Sequence, residues 1–236
     1  MARRPRFSLV DLPLHVVQRG NDRHACFFQE RDYHVYLKYL REGCGRYGVQ
    51  VHAYVLMTNH VHLMLTPLVV GAVSRMMALL GARYVRYINR TTNRTGTLWE
   101  GRYHASLVEC DSHLLATCRY IDLNPVRAGL APRVTDYRWS SYGALAGLRH
   151  DPLVTPHSAL ELLGAPANEA YMRWCHQGDR ECDVTALRDA TAGDLAFGSD
   201  AFKQRVEAMT KRATSRRPRG FAARLKIPPS PYWERT

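Results

Sequence analysis

Thr58-Asn59-His60-Val61-His62-Leu63-Met64-Leu65 closes a run, from Val49 to Thr66, that reads as two extended apolar segments meeting at Thr58-Asn59. Successive side chains of a strand point to opposite faces, so His60 and His62 share one face while Val61 and Leu63 share the other. Two imidazoles side by side on a strand offer two nitrogen ligands for a divalent ion and leave the third to another element. A His-x-His pair alone is common, so the rest of the chain must decide between a ligand pair and ordinary strand residues.

Outward from that run, Leu14 to Arg19 alternates as a strand, and Gly20-Asn21 closes it as a turn. Glu30 to Tyr47 carries Tyr33, Tyr36, Leu37, Leu40 and Cys44 at helical spacing, with Gly48 at its end. Val69 to Arg90 predicts a long amphipathic helix whose buried stripe is Val73, Met76, Met77, Leu80, Tyr84, Val85 and Ile88. Tyr103 to Glu109 predicts a fourth strand, and Asp111 or Ser112 caps a further helix to about Asn124, where Pro125 stops it. Strand, helix, strand, strand, helix, strand is the split βαβ pattern. The expected fold is α+β: a ferredoxin-like antiparallel sheet with helices on one face, its core completed by Trp139 and Tyr142.

Beyond Gly147 the character changes. Short helices are expected from Thr155-Pro156 to Gly164, over Asn168 to Cys175 and over Asp200 to Arg212. From Phe202 to Thr236 there are ten Lys or Arg against Glu207 and Glu234. Ala213 to Gly220 and Pro228-Pro229-Ser230-Pro231 read as disordered until something acidic is bound. The expected organisation is a main domain over 1–147, a small helical extension over 148–212 and a basic tail over 213–236.

The formal net charge is +12, and lysine occupies only positions 38, 203, 211 and 226, so the excess is overwhelmingly arginine. Arginine bonds phosphate bidentately and stacks on bases, which favours nucleic acid as the partner. GC-rich coding explains part of the arginine preference but not the net charge. The six cysteines show no C-x-x-C pair, the signature of reduced, mostly buried thiols in a cytoplasmic protein rather than of a disulfide framework or a zinc site. No apolar stretch approaches a membrane span, and no signal-peptide core follows the basic N-terminus.

A third ligand and a reactive group are sought in Tyr120-Ile121-Asp122-Leu123-Asn124-Pro125-Val126-Arg127-Ala128-Gly129. Tyr120 and Asn124 are four apart and share one helix face. If that face opposes His60 and His62, Asn124 offers an amide oxygen to the ion and Tyr120 sets a phenol beside it. Against this stand a packed helical tyrosine and an asparagine selected by the proline that follows it.

The pairing of Asn59-His60-Val61-His62 with that segment resembles the single-tyrosine HUH transposases, and within them the REP-associated tyrosine transposases. Gln18-Arg19-Gly20-Asn21, Leu98-Trp99-Glu100-Gly101-Arg102-Tyr103 and Trp139-Ser140-Ser141-Tyr142 extend the resemblance over roughly residues 8 to 147, and Phe197-Gly198-Ser199-Asp200-Ala201-Phe202 is similar to C-terminal segments of that family. The resemblance implies Tyr120 as the nucleophile and Mg²⁺ or Mn²⁺ on His60, His62 and Asn124. It further implies nicking and rejoining of single-stranded DNA at palindromic hairpins through a 5′-phosphotyrosine, by a monomer or a homodimer. For DNA contacts the candidates are Arg19, Arg102 and Arg127 in the motifs and the helical stripe of Arg83, Arg86 and Arg90. Trp99 as a stacking platform and Arg216, Arg217 and Arg219 in the tail complete the set. Structural salt bridges, a solvated helix face and a core tryptophan are the competing readings. Two other functions stay open: a hairpin-binding protein derived from a transposase that no longer cuts, and, more distantly, a replication initiator or relaxase.

Overall fold

The structure, a computed structural model, describes residues 6–7, 9–178 and 180–215. Strand β1 (Leu14–Arg19) leads through a 3-10 turn into helix α1 (Glu30–Tyr47). A capping box between Gln29 and Asp32 starts α1. Gly48, at φ 68°, ends it in the left-handed region where a side chain is costly. The strands β2 (Val49–Leu56) and β3 (His60–Pro67) form the hairpin that carries the histidine pair. Then come α2 (Ala72–Thr92), β4 (His104–Val108), α3 (Ser112–Asp122), α4 (Asn124–Arg127) and α5 (Tyr142–Leu145). A 3-10 helix at Ser158–Leu163 precedes α6 (Ala167–His176), α7 (Glu181–Ala192), β5 (Ala196–Phe197) and α8 (Asp200–Thr210).

Among the described residues the strands form one sheet in the order β2-β3-β1-β4-β5. The first four pair antiparallel, and β5 joins β4 in parallel. The fold is α+β as expected, with a difference in its layers. Helices cover both faces of the sheet rather than one. Val16, Val51, Tyr54, Val61, Leu63 and Leu65 pack with α1 and α2. Ala53, Val55, Met57 and Met64 pack with α3, α5, α6 and α7 on the other face. Ala53, Val55, Met57 and Met64 put apolar side chains on the second face among its histidines, and a second layer buries them. On the first face Phe27, Tyr36, Tyr84 and Trp99 meet at ring-centroid distances of 5.1 to 6.4 Å. Such pairs add roughly 0.5–1.5 kcal/mol each beyond their burial.

The stretch after 148 packs against the rest of the fold. It supplies β5 to the sheet and lays α7 against α3, β4 and β1. Thr214 is buried, accepts the Ala196 N–H at its carbonyl and donates its amide to Glu207. Arg216, Arg217 and Arg219 lie outside the described residues. Cys26, Cys44 and Cys118 are buried free thiols. Among the described residues no helix is long and apolar enough to cross a membrane.

Candidate functional site

The register of β1 against β3 sets Val17 opposite His62 and Arg19 opposite His60, so both imidazoles rise from the face that α3 and α7 cover. The hairpin turn is locked to β1 at Gly20, whose N–H bonds the Asn59 carbonyl at 2.8 Å. A Cβ at Gly20 would run into the carbonyl oxygen of His24, so glycine is required there. The imidazoles of His60 and His62 lie 5.0 Å apart between ring centroids.

Hydrogen bonds fix which nitrogen of each ring carries the proton. Asn59 donates its Nδ2 to the Arg23 carbonyl at 2.9 Å, so its Oδ1 accepts from His60 Nδ1 at 2.6 Å. His60 Nε2 is then an open lone pair. For His62 the relay is longer. Thr191 Oγ1 lies 2.9 Å from the Leu187 carbonyl, from Ser106 Oγ and from His15 Nδ1; in the arrangement where it donates to the carbonyl, it accepts from His15 Nδ1. His15 Nε2 then accepts from His62 Nδ1, also at 2.9 Å, and leaves His62 Nε2 bare. Burial, and secondarily the Arg19 charge, pull the His60 imidazole down to about 4. Burial alone holds His15 at about 3. His62 is also pulled well below the ordinary value, first by burial and then by the neighbouring His15, His60, Arg127 and Arg19. Neutral imidazoles with free Nε2 atoms are what a divalent ion requires.

Tyr120 and Asn124 arrive from the opposite wall. Pro125 lacks an N–H and crowds the carbonyl four residues back. Accordingly α3 closes at Asp122 and Pro125 sits in the first turn of α4, so the proline opens a second helical turn as well as ending the first. Asp122 pins this wall. It is fully buried and accepts from Ser141 Oγ and Tyr171 Oη, each at 2.7 Å. Burial pushes its carboxyl up to about 7 against those two donors. Ser141 belongs to the Trp139–Tyr142 segment, which is thereby tied to the helix that carries Tyr120.

The Tyr120 ring stands edge-on to His62 at 5.6 Å and to His15 at 5.9 Å, in the same chain. These residues open on a cleft of about 560 Å³ lined by His60, His62, Tyr120, Asn124, Arg188 and Thr191. Asn124 is buried, and its Nδ2 has no hydrogen-bond partner, so the amide is not committed elsewhere. Among the described residues no group of three His, Cys, Asp or Glu is set to hold an ion. Beside the two imidazoles, the cleft lining offers the uncommitted Asn124 amide, together with Glu100 and His104.

The remaining candidates divide. Arg19 lines the cleft. Arg127 packs on Tyr120, its guanidinium carbon 4.5 Å from the ring centroid and its N–H groups on the Tyr120 carbonyl at 3.3 and 3.5 Å. Arg102 is exposed beyond the cleft lining. Trp99 is a core residue: it is 6% exposed and packs on Tyr36 and Tyr84, so it offers no free face to a base. The α2 stripe of Arg83, Arg86 and Arg90 lies on a helix packed against the sheet face opposite the imidazoles. Arg83 there pairs with Glu42 and stacks 4.0 Å over Tyr39, which braces α2 to α1.

Sequence reasoning missed His15, Arg188 and Thr191. Nothing near His15 in the sequence marks it as more than a structural residue; the β1–β3 register is the signal that places it diagonal to His62. Arg188 and Thr191 sit on α7, a helix absent from the expected elements, although Val184, Leu187 and Thr191 recur at helical spacing.

No curated protein matches the chain. Among solved structures, one described as the REP-associated tyrosine transposase bound to a REP hairpin aligns with a TM-score of 0.51 at 17% identity, covering 67% of this chain and 96% of that one. A provisionally assigned transposase of Deinococcus radiodurans aligns with a TM-score of 0.36 at 20% identity, over 55% of this chain and 92% of that one. The family model described as "Transposase IS200 like" matches residues 8–124. That segment, just under half of the chain, holds His60, His62, Tyr120 and Asn124, and over it the chain is similar to the IS200-like transposases.

Proposed function

We propose that the chain is a divalent-metal-dependent nickase and strand transferase of single-stranded DNA, acting in the cytoplasm at palindromic hairpins through a 5′-phosphotyrosine on Tyr120. The observation that carries this reading is the Tyr120 ring 5.6 Å from His62 across a shared cleft. His60 Nε2, His62 Nε2 and the Asn124 amide would hold Mg²⁺ or Mn²⁺. When bound, the ion polarises the scissile phosphodiester and offsets its developing charge.

The chain's own residues do the rest. Tyr120 Oη attacks phosphorus, the bond to the 3′ oxygen breaks, and the strand keeps its 5′ phosphate on the enzyme. The bond energy is retained in that link, so another 3′-hydroxyl reverses the step and joins strands. Arg127 holds the ring by stacking on it and by bonding the Tyr120 carbonyl. Arg19, at the rim beside His60, and Arg102 are assigned to backbone phosphates, and Arg216, Arg217 and Arg219 to the stem. The solved relative is bound to a REP hairpin, which supports a hairpin as the shape this chain reads. The test is a labelled, hairpin-bearing single strand incubated with the protein and Mn²⁺ or Mg²⁺. An SDS-resistant adduct lost in Tyr120→Phe and with chelator is the expected result. Hairpin binding without any adduct would establish the non-cleaving reading instead.

A further inference from the structure

Helix α7 lies outside the segment that defines the family, yet it closes the cleft. Val184, Leu187 and Ala190 are buried on the α3 side of the sheet, and this seating turns Arg188 and Thr191 toward Tyr120 and His15. Arg188 Nε donates to Tyr120 Oη at 3.3 Å, and its guanidinium carbon lies 5.8 Å from the ring centroid. Among the described residues no carboxylate pairs with Arg188, so its charge is not neutralised within the fold. Arg127 also approaches the ring, but its N–H groups bond the backbone carbonyl of Tyr120 rather than the phenol oxygen.

We infer that Arg188 is a catalytic residue of the strand-transfer reaction, a guanidinium bonded to the reacting oxygen itself. The inference rests on the nuclease reading above. In cleavage the Tyr120 hydroxyl releases its proton to water as Oη bonds phosphorus. The bond from phosphorus to the 3′ oxygen breaks, and that oxygen takes a proton from water. In rejoining, an acceptor 3′-hydroxyl loses its proton and bonds phosphorus, and Oη departs with the electron pair of its bond. Arg188 stays protonated throughout and acts by charge: its N–H stabilises the negative oxygen both as it attacks and as it leaves. A lysine could supply charge there but not the planar donor set that reaches Oη and a phosphate oxygen together.

The test uses the full chain in single-turnover reactions with a labelled hairpin-bearing strand and Mn²⁺. Arg188→Ala should slow both adduct formation and rejoining by about 100-fold, the usual effect of removing one donor from a developing oxyanion. Its hairpin affinity and melting temperature should stay at the wild-type values. Arg188→Lys should recover part of the rate, and added guanidinium ion should recover part of the Arg188→Ala rate, which a purely structural role would not allow. Arg188→Ala cleaving at the wild-type rate overturns the inference while leaving the nuclease reading intact. So does a loss that parallels hairpin affinity and resists guanidinium. A wild-type chain that binds the hairpin but forms no adduct overturns the nuclease reading, and this inference with it.

Discussion

His15 Nε2 lies 2.9 Å from His62 Nδ1, and when Thr191 donates to the Leu187 carbonyl the proton between the two rings sits on His62. Thr191 Oγ1 meets the Leu187 carbonyl, Ser106 Oγ and His15 Nδ1, each at 2.9 Å, at the far end of this relay. A side chain on β1 and another on α7 thus decide which nitrogen of a β3 histidine faces the cleft.

If His15 sets that tautomer, removing its acceptor should weaken metal binding without touching a ligand. His15→Leu is expected to lower Mn²⁺ affinity by about 10- to 100-fold, the usual effect of losing a partner behind a ligating histidine. His15→Gln, which keeps an acceptor oxygen, should lose less. Titration of free Mn²⁺ by electron paramagnetic resonance reads both; equal affinity in His15→Leu and the wild type would remove His15 from the site.

Stability in the absence of metal should depend on pH through groups with opposite signs. His52 is buried against the Thr155 carbonyl and Thr66, and burial holds its imidazole at about 4. The unfolded chain protonates it from about 6.5 downward. Stability from His52, and likewise from His15 and His60, is therefore complete above that value and is lost as pH falls toward 4. Asp122 runs the other way. Its carboxyl, raised to about 7, keeps a proton in the fold that the unfolded chain has released, so its contribution is present at low pH and lost as pH rises through 7. Each proton is worth about 1.4 kcal/mol per pH unit. The histidines prevail, and urea midpoints should fall between pH 6.5 and 4. Asp122→Asn should steepen that fall and His52→Gln should flatten it.

Much of this arrangement is legible in the sequence because it depends on local rules. The period-2 placement of His60 and His62, the i,i+4 relation of Tyr120 and Asn124 and the helical stripe of α1 each follow from a few neighbouring residues. What escapes depends on pairings distant in sequence. His15 meets Thr191 across 176 positions, and α7 is recognisable as part of the site only once β4 and α3 offer it a surface. Trp99 misleads for a related reason. Its motif belongs to the same resemblance as the site residues, but the chain turns its ring to the opposite face. The second helical layer, too, has only a faint local signal, the apolar Ala53, Val55 and Met64 among the histidines of that face, and it names no particular helix.

Because Trp99 is packed among Tyr36 and Tyr84, Trp99→Ala should act on stability rather than on DNA. Truncating a buried tryptophan typically costs about 3–5 kcal/mol. Denaturant unfolding is expected to show a loss of that size. Hairpin affinity of the folded fraction, read by anisotropy at a temperature where the variant is folded, should match the wild type. A specific fall in affinity with stability intact would restore Trp99 as a base-stacking residue.

Metal removal should separate the ion's role in chemistry from its role in folding. His60 and His62 stand on β3 and Asn124 on α4 across the same cleft, so an ion held by the three would tie β3 to α4. Any ligand of the native state alone stabilises it, by about 2.7 kcal/mol at a hundredfold excess over its dissociation constant. Adding Mn²⁺ should therefore raise the melting temperature, and chelator should reverse the gain. His60→Ala, which removes a ligand and leaves Tyr120 in place, should melt at the same temperature with and without Mn²⁺ and should form no adduct. Tyr120→Phe should keep the full Mn²⁺-dependent shift while also forming no adduct. If His60→Ala retained the shift, the ion would be bound somewhere other than between the imidazoles and the amide.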